Sequence, residues 1–423
     1  MKIKTVSMQY KDVLALPAEG TLSPKRPSRF FRALMKIASA SDLKATHFSC
    51  EKIGMEKLGN EPCLILMNHS CFIDLKIVST VMYPRPINIV MTSDGFVGKR
   101  WLMRNLGCIP TDKFNTDASL VRNITKCIKN LKTSVLLFPE ASYSFDGTAT
   151  PLPHTVGKLV KLLRVPVVLI LTHGAFLRDP LYNGLQLRNV DVSATVQYLL
   201  SPQQISEMSA EQINSLLKQQ FSFDAFAEQQ QKGIVVNEPF RADGLNRVLY
   251  KCPHCNAEGQ MEGKGETLVC HNCHKTYVLD EKGFLRSKDG TSAEFPLVSA
   301  WYNWQRQCVR EELQQGAYLL DVDVDIIVKK GTKAVYKVGQ GHLRQDKSGF
   351  TLCGCDGQLN YFQPAEVSYS LYSDFFWYEI ADVICIGNSE MLYYCFPTNA
   401  KDVVAKARLA TEELYKLCHQ KKG

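Results

Sequence analysis

The sequence predicts an α/β domain with a buried sheet flanked by helices, followed by a cysteine-rich ribbon and an α+β domain closed by a helix. Three observations carry this. Between residues 45 and 200, short apolar runs alternate with amphipathic stretches, as strands alternating with helices do. Two C-x2-C pairs then interrupt the chain. Beyond Tyr318 the pattern turns to strands until a last helical stretch. At 423 residues the chain exceeds one ordinary core, and the expected units are 25–245, 246–290 and 291–423.

Residues 1–24 read as irregular. From Arg29 to Ala38 the chain places Phe30, Phe31, Leu34 and Ile37 on one helical face, with Lys25, Arg26, Arg29, Arg32 and Lys36 around it. Such a helix either lies at a membrane surface, aromatics in the acyl boundary and cations on headgroups, or packs on its own domain. Cys63 to Met67 is a buried strand running into Asn68-His69-Ser70-Cys71-Phe72-Ile73-Asp74. His69 then sits at the strand's carboxyl end and Asp74 near the first turn of the next helix. In that geometry Asp74 accepts a hydrogen bond from one imidazole nitrogen, and the other nitrogen is free to take a proton from an alcohol.

Helices are expected over Phe96–Leu106, Ser119–Leu131 and His154–Leu163. Gly107 to Lys113 is a tight turn into a short strand, and Ser134 to Phe138 a buried strand ending in the loop Pro139-Glu140-Ala141-Ser142. Val165 to Ile170 is a buried strand and Val190 to Val196 an alternating one near an edge. Ser209 with Gln212 forms a capping box for a helix through Gln220.

Four motifs in this order, N-H-x4-D at Asn68–Asp74, Gly107–Lys113, Phe138-Pro139-Glu140-Ala141-Ser142 and Val165–Ile170, resemble the 1-acylglycerol-3-phosphate (lysophospholipid) acyltransferase family over residues 25 to 235. The resemblance implies an α/β acyltransferase domain in which His69 and Asp74 are catalytic. It also implies acyl transfer from acyl-CoA or acyl-carrier protein to a lysophospholipid hydroxyl, with 1-acylglycerol-3-phosphate the expected acceptor. Glu140 and Lys113 would place the headgroup, and Asn68, Phe138, Pro139, Ser142 and Arg104 complete the expected substrate contacts. Backbone amides of Asn68 or of the Pro139–Ser142 loop would hold the oxyanion. Lys99, Arg100 and Arg104 read either as anion contacts or as a solvated helix face. The third motif departs from F-P-E-G-T-R-S: Ala141, Ser142 and Tyr143 stand for Gly, Thr and Arg, and Leu169 stands for the fourth motif's second proline. A phenol cannot make the bidentate charged contact of a guanidinium, so an acceptor with a less charged headgroup is the alternative. A non-catalytic lipid-binding regulator on the same scaffold is the other.

Cys252, Cys255, Cys270 and Cys273 form two C-x2-C knuckles that imply a structural zinc with a closed shell, leaving His254, His271 and His274 outside it. The C-terminal unit is expected to hold a helix over Trp301–Gln315 and strands at Asp321–Ile326, Lys333–Val338, Gly349–Cys353, Tyr369–Phe376, Asp382–Ile386 and Met391–Phe396. A helix over Ala400–Cys418 closes it. Antiparallel strands with one closing helix resemble a pleckstrin-homology module, and a protein partner is as compatible with it as a lipid.

Net charge is +8, of which residues 1–250 carry +10 and the remainder −2. A basic catalytic half suits an acidic membrane surface or an acyl thioester's phosphate. A nucleic-acid partner is not expected, because the ribbon and C-terminal region are together slightly acidic. No apolar run reaches the roughly 18 residues of a spanning helix. Lys2, Lys4, Lys11 and Asp12 interrupt any leader-like core, and fifteen cysteines suit a reducing compartment. The expected place is the cytoplasm, peripheral on the inner face of the membrane.

Overall fold

The structure, a computed structural model, describes residues 2–20, 22–113, 118–184 and 186–420. Its first strand, β1 (Thr5–Ser7), belongs to a distant sheet. The α/β domain is built from β2 (Ser49–Ile53), β3 (Leu64–Met67), β4 (Ile87–Thr92), β5 (Cys108–Thr111), β6 (Ser134–Leu137), β7 (Val167–His173) and β8 (Ser193–Leu200). They lie in the order β2-β8-β7-β3-β6-β4-β5. All neighbours are parallel except β7 and β8. β3 sits centrally, and Leu64, Ile65, Leu66 and Met67 are all fully buried. Burying such side chains contributes about 1.5–3 kcal/mol each, so this strand fixes the sheet's centre.

Parallel register aligns Leu64 with Val135 of β6 and with Val167 of β7. The carboxyl ends of β3, β6, β4 and β5 therefore open side by side, the crevice where open α/β sheets bind ligands. One face of the sheet is covered by helices Arg29–Ala45 and Ile73–Val81. The other is covered by Ala118–Lys129, Thr155–Leu163 and Ala210–Gln220. The last of these starts from the capping box of Ser209 and Gln212, as expected. The helix expected over Phe96–Leu106 is shorter, a 3-10 turn at Ser93–Phe96 followed by Arg100–Asn105, because Gly98 takes a left-handed φ of 70° between them. The strand expected at Val190–Val196 runs over Ser193–Leu200, one position inside the edge.

The ribbon is an antiparallel sheet of β9 (Met261–Lys264), β10 (Thr267–Cys270), β11 (Thr276–Leu279) and β12 (Leu285–Ser287). After helix Val298–Gln315 come β13 (Leu320–Lys329), β14 (Val335–Asp346), β15 (Gly349–Gly354), β16 (Leu359–Pro364), β17 (Tyr372–Trp377), β18 (Ala381–Gly387) and β19 (Leu392–Pro397). They form an antiparallel sheet, β16-β15-β14-β13-β19-β18-β17, followed by helix Val403–Gln420. Within the segment 1–24, expected to be irregular, residues 5–14 instead form a strand and a short helix on this sheet. β1 pairs in parallel with β14, Thr5 opposite Val335, and the short helix Tyr10–Leu14 buries Tyr10 and Val13 against it.

The C-terminal unit also closes over the α/β domain. Tyr372 Oη and Trp377 Nε1 of β17 donate to Asp94 Oδ2 of the α/β domain at 2.5 and 3.2 Å. Helix Val403–Gln420 reaches the loop after β6 through Arg408.

Candidate active site

His69 lies two residues beyond the end of β3, where the chain leaves the sheet before helix Ile73–Val81. Its Nδ1 lies 3.1 Å from Asp74 Oδ2. An ionised carboxylate only accepts, so Nδ1 carries the proton and Nε2 is the basic nitrogen. The amides of Ser70 and Cys71 donate to the same Oδ2 at 2.8 and 3.2 Å, which holds Asp74 against the helix start. The His69 side chain is 15% exposed. Burial lowers its proton affinity below the ordinary value; Asp74 opposes this, while nearby Lys113 adds to it. A ring that stays neutral near pH 7 is ready to accept a proton.

The loop after β6 clamps this ring. Phe138 stacks on His69 and Tyr143 packs against it at a tilt of 34°, each with its centroid 4.0 Å away. Tyr143, at the motif's arginine position, thus serves as an aromatic support for His69. Ala141 adopts φ 57° where the motif ordinarily has glycine, so the turn keeps a left-handed residue without glycine's freedom.

Several expected substrate contacts are used structurally. Glu140 is 1% exposed and off the cavity wall. Its Oε1 accepts from the His69 amide at 3.1 Å and its Oε2 from the Thr150 amide at 2.8 Å. Burial pushes its carboxyl up to about 7 against those two bonds. Glu140 therefore ties the His69 backbone to Thr150, with both carboxyl oxygens engaged. Asn68 Oδ1 accepts from the Thr172 amide at 2.8 Å, tying the first motif to β7. Ser142 Oγ accepts from Arg408 Nη2 at 2.9 Å, while Arg408 Nη1 donates to the Tyr143 carbonyl at 3.2 Å and the guanidinium covers Phe145 at 4.3 Å.

His69, Phe138, Pro139 and Tyr143 open onto a cavity of about 1130 Å³. This is slightly above the range of small-molecule pockets, roughly 300–1,000 Å³, and would accommodate an acyl chain with a headgroup. Its far wall comes from the C-terminal unit, with Tyr372, Asp374, Phe375 and Trp377. Lys113 lines it, over the ring of Tyr372 at 4.3 Å. Lys99 lines it too, whereas Arg104 is exposed outside and Arg100 pairs with Glu19 at 3.5 Å. Sequence reasoning missed Arg408, Asp94 and Asp374; no local pattern marks them, since they matter only once β17 and the last helix dock.

Cys252, Cys255, Cys270 and Cys273 bring their sulfurs within 4.8 Å of one another, a group that can hold a metal ion. Cys252–Cys273 and Cys255–Cys270 sulfurs are 3.8 and 3.7 Å apart. A Zn–S bond of about 2.3 Å gives tetrahedral edges of about 3.8 Å, so the four thiols fit zinc. His254, His271 and His274 are exposed, and the first two face Glu294 and Glu262 at 3.3 and 2.8 Å.

With this geometry in view, comparison with known proteins is direct. Residues 49–171 match the family model described as Acyltransferase. The matched residues lie within the α/β domain. The match encloses His69, Asp74, Lys113 and the Phe138–Tyr143 loop, and it ends before the ribbon. Among solved structures, the chain is similar to the 1-acyl-sn-glycerophosphate (LPA) acyltransferase PlsC from Thermotoga maritima. The two are 15% identical over 45% of this chain and 76% of that one, with a TM-score of 0.37. No curated protein matches the chain significantly.

Proposed function

We propose that the chain transfers an acyl group from a thioester, acyl-CoA or acyl-carrier protein, to the free hydroxyl of a lysophospholipid. The observation that carries this reading is the His69–Asp74 pair at 3.1 Å, facing a cavity that can hold an acyl chain beside a headgroup. His69 Nε2 takes the hydroxyl proton as the oxygen attacks the thioester carbonyl. Asp74 holds the tautomer and stabilises the imidazolium. Collapse of the tetrahedral species expels the thiolate, which takes that proton from His69 and leaves as the free thiol. Of the amides expected to hold the oxyanion, those of Asn68 and Ala141 already donate to Ile170 and Phe138 carbonyls at 3.3 and 3.0 Å, and Glu140 and Ser142 lie off the cavity wall.

The lipid reaches the site from a membrane surface. No helix among the described residues is long and apolar enough to cross a membrane. Phe30, Ile37 and Trp101 are 68%, 71% and 71% exposed beside Arg26, Arg29 and Arg104, an arrangement that supports peripheral binding on an inner, anionic leaflet. Among the four ribbon cysteines, zinc would serve as a structural ion holding the ribbon together. The C-terminal sheet serves the site itself as its far wall, and contact with a further protein is not needed for that role. Mass spectrometry of products from a lysolipid panel with both donor types tests the reading: an acylated lysolipid and free thiol in equal amounts are expected, and thioester hydrolysis alone would overturn it.

A further inference from the structure

Lys113 is the cation that the sequence offers to an acceptor phosphate, yet it reaches the cavity already faced by carboxylates. Asp374 and Asp94 meet its charge, and burial lowers its proton affinity against them. Asp94 is 2% exposed; its Oδ2 is taken by Tyr372 and Trp377, while its Oδ1 is buried with no partner among the described residues. Asp374 Oδ1 is buried without one as well. Burial pushes the Asp374 carboxyl up to about 7, with Lys113 opposing.

The described cavity wall carries six cationic and six carboxylate side chains, so its formal charges cancel. Several of these charges are already committed. Lys76 and Arg178 pair with Asp42, and Arg85 donates to the Glu61 and Gly59 carbonyls. A phosphomonoester would bring about two negative charges to this balanced wall, close to the Asp374 carboxyl. A headgroup with its own cation adds no net charge. Its ammonium would find Asp374 and the half-buried ring of Tyr378, since Lys113 already covers Tyr372.

We propose that the acceptor is a zwitterionic lysophospholipid whose ammonium-bearing phosphodiester headgroup is read by Asp374, with Asp94 buried behind it, and by the aromatic wall of the C-terminal sheet. This rests on the acyl-transfer reading above, and it makes the C-terminal unit the specificity element of the site.

The test compares lysophosphatidylcholine, lysophosphatidylglycerol and lysophosphatidic acid as acceptors for the full chain, with one acyl-CoA in neutral micelles. kcat/KM for the choline ester should exceed that for the phosphomonoester by about tenfold or more, the scale of one unscreened charge contact. Asp374→Asn should close that gap about tenfold and Asp374→Glu should keep it. Preference for the phosphomonoester, or an unchanged ratio in a folded Asp374→Asn variant, overturns the assignment. Calorimetric binding of a lysophosphatidylcholine analogue without the acceptor hydroxyl separates the two readings. If no acceptor is acylated but Asp374→Asn weakens the analogue about tenfold, the headgroup assignment stands and acyl transfer fails. If acylation proceeds and the analogue binds both variants equally, acyl transfer stands and the headgroup assignment fails.

Discussion

Replacing Arg408 with alanine removes a guanidinium that joins the last helix to the loop beside the base. Arg408 is 2% exposed and holds Ser142 Oγ, the Tyr143 carbonyl and, at 3.2 Å, Glu412 Oε1. Breaking a buried pair by removing one partner costs about 3–5 kcal/mol. The lower end applies here, because Glu412 keeps Arg306 at 2.6 Å and Ser370 Oγ at 2.7 Å. Burial alone would raise the Glu412 carboxyl, but Arg306 and Arg408 hold it at about 2, against an ordinary 4.5. A folded value below the unfolded one stabilises at all pH above about 4.5, and the stabilisation is lost as pH falls through about 2. The difference is worth about 3 kcal/mol. Arg408→Ala should therefore unfold more easily in urea at pH 7 and begin to lose stability at a higher pH on acidification. With the Tyr143 support relaxed, kcat should fall by about tenfold or more, since misplacement near 1 Å can cost about a hundredfold. Unchanged urea stability at both pH 7 and pH 3, with kcat intact, would refute the reasoning.

Three further outcomes follow from the site. Asp74→Asn should lower kcat by about 10²–10⁴-fold, because the amide no longer fixes the Nδ1–H tautomer or stabilises the imidazolium. Since burial holds His69 below its ordinary value of 6.5, kcat/KM should rise with pH along a limb whose midpoint lies below that value. A limb governed by a group well above 6.5 would contradict the assignment of the base. Elemental analysis should find about one zinc per chain, and Cys252→Ser should lower both metal content and melting temperature; a metal-free, fully stable native protein would count against the ribbon site.

The parts of the fold that depend on short-range pattern were legible in the sequence. Leu64 to Met67 reads as a buried strand because all four residues are apolar, and its polar exit places His69 and Asp74. The two cysteine pairs announce their own site by spacing. The engagement of Glu140 was not legible because a motif names a residue without saying which way it faces, and here both oxygens are used by backbone amides. β16 was missed because Gln363 stands at an inward position, where its Oε1 accepts from the Gly387 amide at 2.9 Å. β1 was missed because three residues are too few to show a period, and its partner lies some 330 residues away in sequence. Asp374 and Arg408 carry no local signal, since their meaning arises from docking two units whose sequences look independent.

The central claim is that His69, held by Asp74, is the base for acyl transfer to a lysolipid hydroxyl. Its most direct test is single-turnover acyl transfer by wild-type and His69→Ala protein, with thermal unfolding run on the same samples. Equal melting temperatures with a rate lower by about 10²–10⁴-fold are predicted. A folded His69→Ala protein that forms product at the wild-type rate would contradict the account.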